Sequence, residues 1–284
     1  MVIKDLQIRN NVDLKQYSSI KIGGKARYFC IVESTDDLAA FSRQNEERFY
    51  LLGGGSNLLI KDSLIEKPVI KLGKEFDYIK DDGGLIEIGA AASLRSILRY
   101  CIEHNLEGWE NLAGIPATLG GMLAMNASAF GREVSSFLKK AQILAGRGTV
   151  KILDRTNIEF GYRHSSLKDK IILRAWFELR NGQGVRLRIK DFLAQRLQKQ
   201  DFGYPSCGCV FKNPVGLAAG FLIDSCALKG SRKGGAQVSD KHANFIINVG
   251  GAVYDDVDYL IRTIKDKVFQ KHSVLLEEEI QRWV

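Results

Sequence analysis

The stretch Tyr50-Leu51-Leu52-Gly53-Gly54-Gly55-Ser56-Asn57-Leu58-Leu59-Ile60 sets a glycine loop between two short apolar runs. The apolar runs predict strands, and three successive glycines allow backbone amides to turn inward around an anion. Ser56 and Asn57 add side chains that can hydrogen-bond to the same group. We therefore predict an anion-binding loop. A flexible hairpin is the alternative, which the apolar residues on both sides disfavour.

This loop joins strand to strand, unlike the glycine loops of the common nucleotide-binding folds. Those loops lead from a strand into a helix, and neither GxGxxG nor GxxxxGK[ST] occurs in the chain. The sequence therefore argues against a Rossmann or P-loop site.

The composition is that of a globular protein that favours anionic ligands. Hydrophobic residues make up 45% of the 284 residues, with no apolar run of the ~18–20 residues that a membrane span needs. The N-terminus lacks the build of a signal peptide, so we expect a cytoplasmic protein without membrane association. The net charge of +8 favours small phosphorylated or carboxylated ligands, with a basic surface for solubility as the alternative. No motif predicts nucleic-acid binding.

The five cysteines form no disulfide framework, and the four histidines have no metal-ligand spacing, so we predict no metal. Two cysteines lie close together in Pro205-Ser206-Cys207-Gly208-Cys209-Val210-Phe211-Lys212-Asn213-Pro214. From these residues alone, Cys-x-Cys could be a metal site, a redox pair, a reactive thiol or none of these.

Hydrophobic periodicity predicts alternating strands and helices. Strands are expected at about 27–32, 68–72, 84–88, within 140–180, at 244–248 and at 274–280, and helices at about 34–47, 93–104, 185–201, 217–228 and 253–270. Residues 114–127 are nearly all small after Pro116, where a helix could start. A flat ligand or another backbone could lie against that segment.

Several segments together resemble the UDP-N-acetylenolpyruvoylglucosamine reductase family, flavoenzymes that complete UDP-N-acetylmuramate for the bacterial cell wall. They appear in the family's order over nearly the whole chain, at 17–24, 53–59, 114–127, 161–163, 208–214, 219–224, 228–230, 234–236, 241–245 and 276–279. The short spacing between Arg163 and Cys209 resembles the branch of the family that lacks a Tyr-bearing insertion.

The resemblance implies an α+β fold: a two-subdomain FAD-binding module of the vanillyl-alcohol-oxidase (PCMH) type and a smaller α+β substrate-binding domain. We expect FAD-binding subdomains at 1–75 and 76–200, and a UDP-sugar domain at 201–284 whose C-terminal strand returns to the active site. The expected FAD-binding residues are Gly53, Gly54, Gly55, Ser56, Asn57, Gly114, Ile115, Pro116, Gly120, Gly121, Asn126 and Ala127.

The resemblance also implies a reaction. Such enzymes reduce UDP-N-acetylglucosamine enolpyruvate with NADPH, passing a hydride from N5 of FAD to C3 of the enolpyruvyl group and a proton to C2. Arg163 would bind the substrate carboxylate, Glu279 would share a hydrogen bond with it at a raised pKa, and Cys209 would donate the proton. The expected substrate-binding residues are Tyr162, Lys212, Asn213 and Gln237. No obligate protein partner is expected.

The chain departs from the family's pattern at two positions. Cys209 stands where Ser is commonest, and a thiol, with a reference pKa of about 8.5, ionises far more readily than a hydroxyl. Gln281 stands where relatives often carry Arg, and Arg282 should point to the opposite face of a strand. Two alternatives stay open: a flavin oxidoreductase with a different substrate, and a metal- or nucleic-acid-binding protein built on Cys207 and Cys209.

Overall fold

The computed structural model describes residues 7–45 and 49–284 and contains both helices and strands, as predicted. The end of the first predicted helix, at 46 and 47, lies outside the described residues. The helices are α1 (Thr35–Asn45), α2 (Leu94–Glu103), α3 (Leu119–Ala124), α4 (Val185–Lys199), α5 (Ala219–Ser225) and α6 (Tyr254–His272).

Several of the strands are short and are connected by loops. They are β1 (Ile8–Asp13), β2 (Lys25–Val32), β3 (Tyr50–Leu51), β4 (Leu58–Ile60), β5 (Val69–Leu72), β6 (Ile79–Asp82), β7 (Leu85–Gly89), β8 (Leu106–Glu107), β9 (Ser128–Ala129), β10 (Arg132–Glu133), β11 (Leu138–Ala145), β12 (Thr149–Asp154), β13 (Phe160–Gly161), β14 (His164–Ser165), β15 (Ile171–Phe177), β16 (Arg180–Asn181), β17 (Ser206–Cys209), β18 (Arg232–Lys233), β19 (Ala236–Val238), β20 (Phe245–Asn248) and β21 (Gln281–Trp283).

Backbone contacts divide the chain into two interleaved units. The first unit holds Tyr28–Gly54 and Lys67–Gln195, with the residues up to Asn10. The second unit holds Asn11–Arg27, Gly55–Glu66 and Arg196–Val284. The consecutive domain ranges expected from the sequence stay a prediction beside this division by contacts.

The first unit is built on two sheets around one core. Strands β2 and β3 pair in parallel with β5, and a five-stranded antiparallel sheet has the order β12-β11-β15-β7-β6. Helix α2 buries Leu94, Ile97, Leu98 and Cys101 in this core. Their spacing places them on one face of a helix, which is why the sequence pattern predicted α2.

The glycine loop is not a hairpin. Strand β3 pairs with β5, and strand β4 pairs in parallel with β21, so the two strands that flank the loop have different partners. The flexible-hairpin alternative is therefore wrong. The loop connects strands that are each held in place by another part of the chain.

The second unit has its own core under a four-stranded antiparallel sheet of order β17-β20-β19-β18, with α5 and α6 packed into that core. The predicted last strand at 274–280 is wrong: the strand is β21, and it begins at Gln281. Residues 274–280 make only an isolated bridge, Phe211 to Glu278, because regular pairing starts where the chain meets β4.

Among the described residues we find no helix with both the length and the apolar composition of a membrane span.

A buried carboxylate is neutralised within the five-stranded sheet. Glu87 on β7 is 3% exposed. It accepts hydrogen bonds from the hydroxyl of Tyr78 and from Nη1 of Arg174, the latter at 2.8 Å. Burial by itself raises the pKa of Glu87, but the hydrogen bonds from Tyr78 and Arg174 outweigh burial and hold the pKa below its ordinary value.

We expect Glu87→Gln to lower the free energy of unfolding by about 2–3 kcal/mol at pH 7, less than a fully buried pair because Arg174 is partly exposed. Folding lowers the pKa of Glu87, so the carboxylate's contribution is complete above the unfolded-state value of about 4.3 and disappears as the pH falls through the folded-state value. Chemical denaturation at pH 7 and pH 3 measures the difference, which should shrink at the lower pH.

Glu178→Gln is the matched control, since Glu178 forms an exposed pair with Lys139 and exposed pairs contribute little. A loss of stability that is the same at both pH values would show that the Glu87 charge does not act as described.

Candidate active site

The first half of the glycine loop lies against the small-residue segment of the first unit. A Cβ on Gly54 would be 2.9 Å from the carbonyl oxygen of Pro116 and 3.2 Å from Cα of Ala117. A Cβ on Gly53 would be 3.0 Å from Oγ1 of Thr118. Only glycine allows backbones to approach this closely. The structure therefore brings together two of the segments that were predicted to bind FAD.

Lys71 stands behind this loop and was missed by the sequence reasoning. Its Nζ donates to the carbonyl oxygen of Gly53 at 3.3 Å. Burial lowers the pKa of Lys71, and the nearby charge of Asp77 opposes that shift. A lysine inside the apolar strand Val69–Leu72 is the signal that could have revealed it. Its ammonium group adds positive charge beside a loop that is expected to hold an anion.

The small-residue segment ends in a buried amide. Helix α3 begins at Leu119, later than predicted, because Thr118 rather than Pro116 caps it. Beyond α3, Asn126 is fully buried and donates from Nδ2 to the carbonyl oxygen of Gly161 at 3.0 Å. Its Oδ1 has no hydrogen-bond partner among the described residues. Buried acceptors are normally paired, so this oxygen fits a donor on a bound ligand such as FAD.

The remaining predicted FAD-binding residues of the first unit lie in the same segment. Gly120 donates from its backbone to the carbonyl oxygen of Ala90 at 2.9 Å, and a Cβ on Gly120 would be 3.2 Å from that oxygen. The others are Gly114, Ile115, Gly121 and Ala127. The close backbone approaches and the orphaned amide oxygen both suit a flat ligand, so the residues present fit FAD.

The second half of the glycine loop belongs to the second unit. A Cβ on Gly55 would be 1.8 Å from the carbonyl oxygen of Tyr17, so no other residue fits there. Asn57, predicted to bind FAD together with Ser56, directs its Nδ2 to the carbonyl oxygen of Glu279 at 3.0 Å. The backbone of Gln281 donates back to the carbonyl oxygen of Asn57 at 2.9 Å. Asn57 therefore fixes the backbone around the predicted catalytic glutamate, which sequence reasoning did not reveal.

Cys209 and Glu279 lie on neighbouring antiparallel segments of the second unit. The backbone of Glu279 donates to the carbonyl oxygen of Val210 at 2.8 Å, and that of Lys212 donates to the carbonyl oxygen of Glu277 at 2.9 Å. Two residues separated by 70 positions in sequence are thereby brought together. The pairing agrees with their predicted action on one substrate.

A buried asparagine holds the first of these segments. Asn244 accepts from the backbone nitrogen of Phe211 at 2.9 Å and donates to the carbonyl oxygen of Phe211 at 2.8 Å. Its own backbone oxygen accepts from Val210 at 2.9 Å. Three hydrogen bonds with this one residue fix the chain directly after Cys209. In the sequence, the only sign of this role was that Asn244 lies in one of the segments that resemble the family.

The two thiols of Cys-x-Cys have different surroundings. Cys207 is 2% exposed, and burial raises the pKa of its thiol to about 12. Cys209 is partly exposed. Gly208 between them has φ +77°, which suits glycine. Since a thiol with so high a pKa stays protonated, Cys207 has the properties of a core residue, and any reactive thiol of the pair is Cys209.

The predicted substrate-binding residues of the second unit are held by nearby groups. Lys212 pairs through Nζ with the exposed carboxylate of Glu277. Asn213 accepts from the backbone nitrogen of Ala219 at 2.9 Å, ahead of α5. Gln237 donates to Asp240 at 2.9 Å. Their roles toward a substrate stay predictions.

Arg282 is engaged in an ion network within the second unit. Its Nε donates to Glu278 at 2.7 Å, and its Nη1 donates to Asp258 and, at 3.0 Å, to the hydroxyl of Tyr254. These contacts pair the half-buried Arg282 with groups of its own unit. Whether Arg282 replaces the arginine that the resemblance led us to expect at position 281 stays open, and these contacts show that its guanidinium already pairs with two carboxylates.

Arg163 and Tyr162 form the tip of a two-residue hairpin between β13 and β14 in the first unit. Nη1 of Arg163 donates to Oγ of Ser128 at 2.9 Å and to its carbonyl oxygen at 3.2 Å. The Tyr162 ring is 5.5 Å from the guanidinium carbon. Arg163 thus lies in the first unit, and Cys209 and Glu279 lie in the second.

Comparison with known proteins gives the family. A model described as an FAD binding domain matches residues 26–154, and a model described as the C-terminal domain of UDP-N-acetylenolpyruvoylglucosamine reductase matches residues 198–283. A reductase of that name from Caldanaerobacter subterraneus subsp. tengcongensis is 38% identical over 287 residues, covering 99% of this chain and 95% of that protein. The chain belongs to the UDP-N-acetylenolpyruvoylglucosamine reductase family.

Other relatives agree with this assignment. The reductase from Lactococcus lactis subsp. cremoris is 38% identical, covering 98% of this chain and 95% of that protein. The crystal structure of the reductase from Thermus caldophilus has a TM-score of 0.86 and 33% identity, covering 98% of this chain and 100% of that one. This family member is therefore an FAD-dependent oxidoreductase with an α+β fold, and the predicted family, fold class and FAD cofactor are confirmed.

We expect Gly54→Ala to weaken FAD binding by about ten- to a hundredfold, because overpacking typically costs about 1–3 kcal/mol and the new Cβ would press on Pro116. Titration of the apoprotein with FAD, followed by the absorbance change of the flavin, measures the affinity. Gly146→Ala is the matched control, since no described atom lies within 4 Å of its Cβ position. Unchanged affinity in Gly54→Ala would show that this approach does not shape the cofactor site.

Proposed function

We propose that the chain reduces UDP-N-acetylglucosamine enolpyruvate to UDP-N-acetylmuramate, with NADPH as reductant, in peptidoglycan precursor synthesis. The observation that carries the proposal is the antiparallel pairing of the segments holding Cys209 and Glu279, in a chain of this reductase family. The relatives' names, UDP-N-acetylenolpyruvoylglucosamine reductase, support reduction of this sugar. A cytoplasmic location belongs to this proposal.

The cofactor would be held by backbone rather than by long side chains. Gly53, Gly54 and the segment from Pro116 to Thr118 form the close-packed part of its site, and the amide of Asn126 offers an acceptor. When bound, FAD would supply the two-electron redox chemistry that links oxidation of NADPH to reduction of the enolpyruvyl group.

Three residues would handle the charge and the proton. Arg163 would bind the substrate carboxylate, where a planar guanidinium forms a charge-assisted pair and stabilises negative charge that develops during reduction. Glu279 would hydrogen-bond the same carboxylate. Cys209 would donate a proton to C2 from its thiol. Its partial exposure supports this role, and the buried Cys207 is unsuited to it.

Substrate phosphates would meet Lys212 and its neighbours. Lys212 pairs with the exposed carboxylate of Glu277, and an exposed ion pair is weak. Lys212 could therefore exchange this carboxylate for a diphosphate of the substrate. Asn213, Gln237 and Tyr162 complete the set of proposed substrate contacts, the last of them exposed at the hairpin tip.

The test of the function is direct. The purified protein should be yellow and release FAD, and it should oxidise NADPH over many turnovers only when the UDP-enolpyruvyl sugar is present. A flavoprotein that ignores this substrate and reduces another compound would favour a different oxidoreductase of the superfamily. Colourless protein carrying a metal or nucleic acid would overturn the proposal.

Cys209→Ala should slow substrate reduction by about 10²- to 10⁴-fold, the usual contribution of a general acid, while leaving flavin reduction by NADPH intact. In the unmodified protein, substrate reduction should fall as the pH rises through the range in which thiols ionise, about 8.5. Cys209→Ser should flatten that limb, since a hydroxyl stays protonated. Stopped-flow measurement of each half-reaction between pH 6 and pH 10 gives both rates.

Cys226→Ala is the matched control, because Cys226 is another partly exposed thiol of the second unit and lies outside the proposed site. It should leave both half-reactions unchanged. Identical pH profiles for the unmodified protein and Cys209→Ser would remove Cys209 from the proton step.

A further inference from the structure

The hairpin that carries Arg163 is held in an unusual conformation. Strands β13 and β14 pair Phe160 with Ser165 and Gly161 with His164, leaving Tyr162 and Arg163 as the turn. Arg163 has φ +53°, in the left-handed region that side-chain-bearing residues rarely adopt. Such a conformation persists only when the surrounding structure fixes it.

One short segment, residues 126–128, makes contacts that help to fix this turn. The amide of Asn126 donates to the carbonyl oxygen of Gly161 at 3.0 Å, two residues before the arginine. Ser128 accepts hydrogen bonds from the side chain of that arginine. Nη1 of Arg163 lies 2.9 Å from the hydroxyl oxygen of Ser128 and 3.2 Å from its carbonyl oxygen. The same segment thus holds both the backbone entering the turn and the tip of the side chain.

We propose that Ser128 is a positioning residue that sets the orientation of the Arg163 guanidinium for a carboxylate ligand. The inference rests on the proposed function, in which Arg163 binds the substrate carboxylate. A guanidinium is planar, so two acceptors on the single nitrogen Nη1 restrict rotation of the whole group. Hydrogen bonds from a charged donor are stronger than those between neutral groups, so the hydroxyl contributes to that restriction.

The side chain of Ser128 can be tested apart from its backbone. Ser128→Ala removes the hydroxyl acceptor and keeps the carbonyl acceptor, Ser128→Thr keeps both, and Ser128→Cys leaves a weaker acceptor of similar shape. If the hydroxyl only stabilises the hairpin, all UDP-sugar ligands should be affected alike. If it orients Arg163, only ligands with a carboxylate should be affected.

The experiment compares the affinity of the FAD-loaded protein for UDP-N-acetylmuramate, which carries a carboxylate, and for UDP-N-acetylglucosamine, which does not. We expect Ser128→Ala to weaken the first by about 5- to 20-fold and to leave the second unchanged. Ser128→Thr should restore the first, and Ser128→Cys should fall between. The substrate's kcat/KM should follow the same order, while the rate of flavin reduction by NADPH stays constant.

A double-mutant cycle shows whether Ser128 affects ligand binding through Arg163 or independently of it. In an Arg163→Ala background, Ser128→Ala should change the affinity for the carboxylate ligand no further. Additive losses would overturn the positioning role, as would equal losses for the two ligands. The comparison of Thr, Cys and Ala variants keeps this readout available even where one variant folds poorly.

Failure of the positioning role is distinguishable from failure of the proposed function. An unmodified protein that binds both UDP-sugars equally, and in which Arg163→Ala has no effect, would overturn the carboxylate site and the role of Ser128 with it. An unmodified protein that prefers the carboxylate ligand, with Ser128→Ala equal to it, would overturn the role of Ser128 alone.

Discussion

Backbone packed directly against backbone at the glycine loop is the constraint on which the rest of the site depends. Gly54 faces the carbonyl oxygen of Pro116, and Gly55 faces that of Tyr17, each at a distance that excludes a Cβ. The loop is therefore fixed from its two halves by neighbouring main chain, and Lys71 adds a hydrogen bond to the carbonyl oxygen of Gly53, so its amides are set in place. Such pre-organised amides suit an anion, because they need no rearrangement on binding.

The same loop also sets the geometry of the segment that carries the candidate acid–base residues. Asn57 hydrogen-bonds on both sides of residue 280, donating to the carbonyl oxygen of Glu279 and accepting from the nitrogen of Gln281. The backbone of Glu279 in turn donates to Val210, next to Cys209. Asn57, Glu279 and Val210 thus form one hydrogen-bonded series within the second unit, so a change in the loop would reach the residue next to Cys209.

Elements that depend on hydrophobic periodicity were predicted correctly from the sequence. Elements defined by pairing with a distant part of the chain were not. The buried stripe of α2 follows from helical spacing alone. The last strand was misplaced because β21 is defined by its pairing with β4, more than 200 residues away, which no local pattern encodes. The family-like segments supplied the candidate site residues, but Lys71 and Ser128 make contacts that only the folded chain creates.

Arg163 shows why such contacts matter. A left-handed conformation costs a residue with a side chain about 1–2 kcal/mol, and glycine or asparagine would adopt it more readily. An arginine at that position needs compensation, and hydrogen bonds to a charged donor contribute about 1.5–3 kcal/mol each at most. The contact of the guanidinium with Ser128 is of that kind, and the neutral hydrogen bond from Asn126 adds about 0.5–1.5 kcal/mol, so together they are of the size required to hold the turn. Strain at the hairpin tip is therefore balanced by the hydrogen bond that Asn126 donates and by the two that Ser128 accepts, and the effect is a guanidinium with a defined orientation.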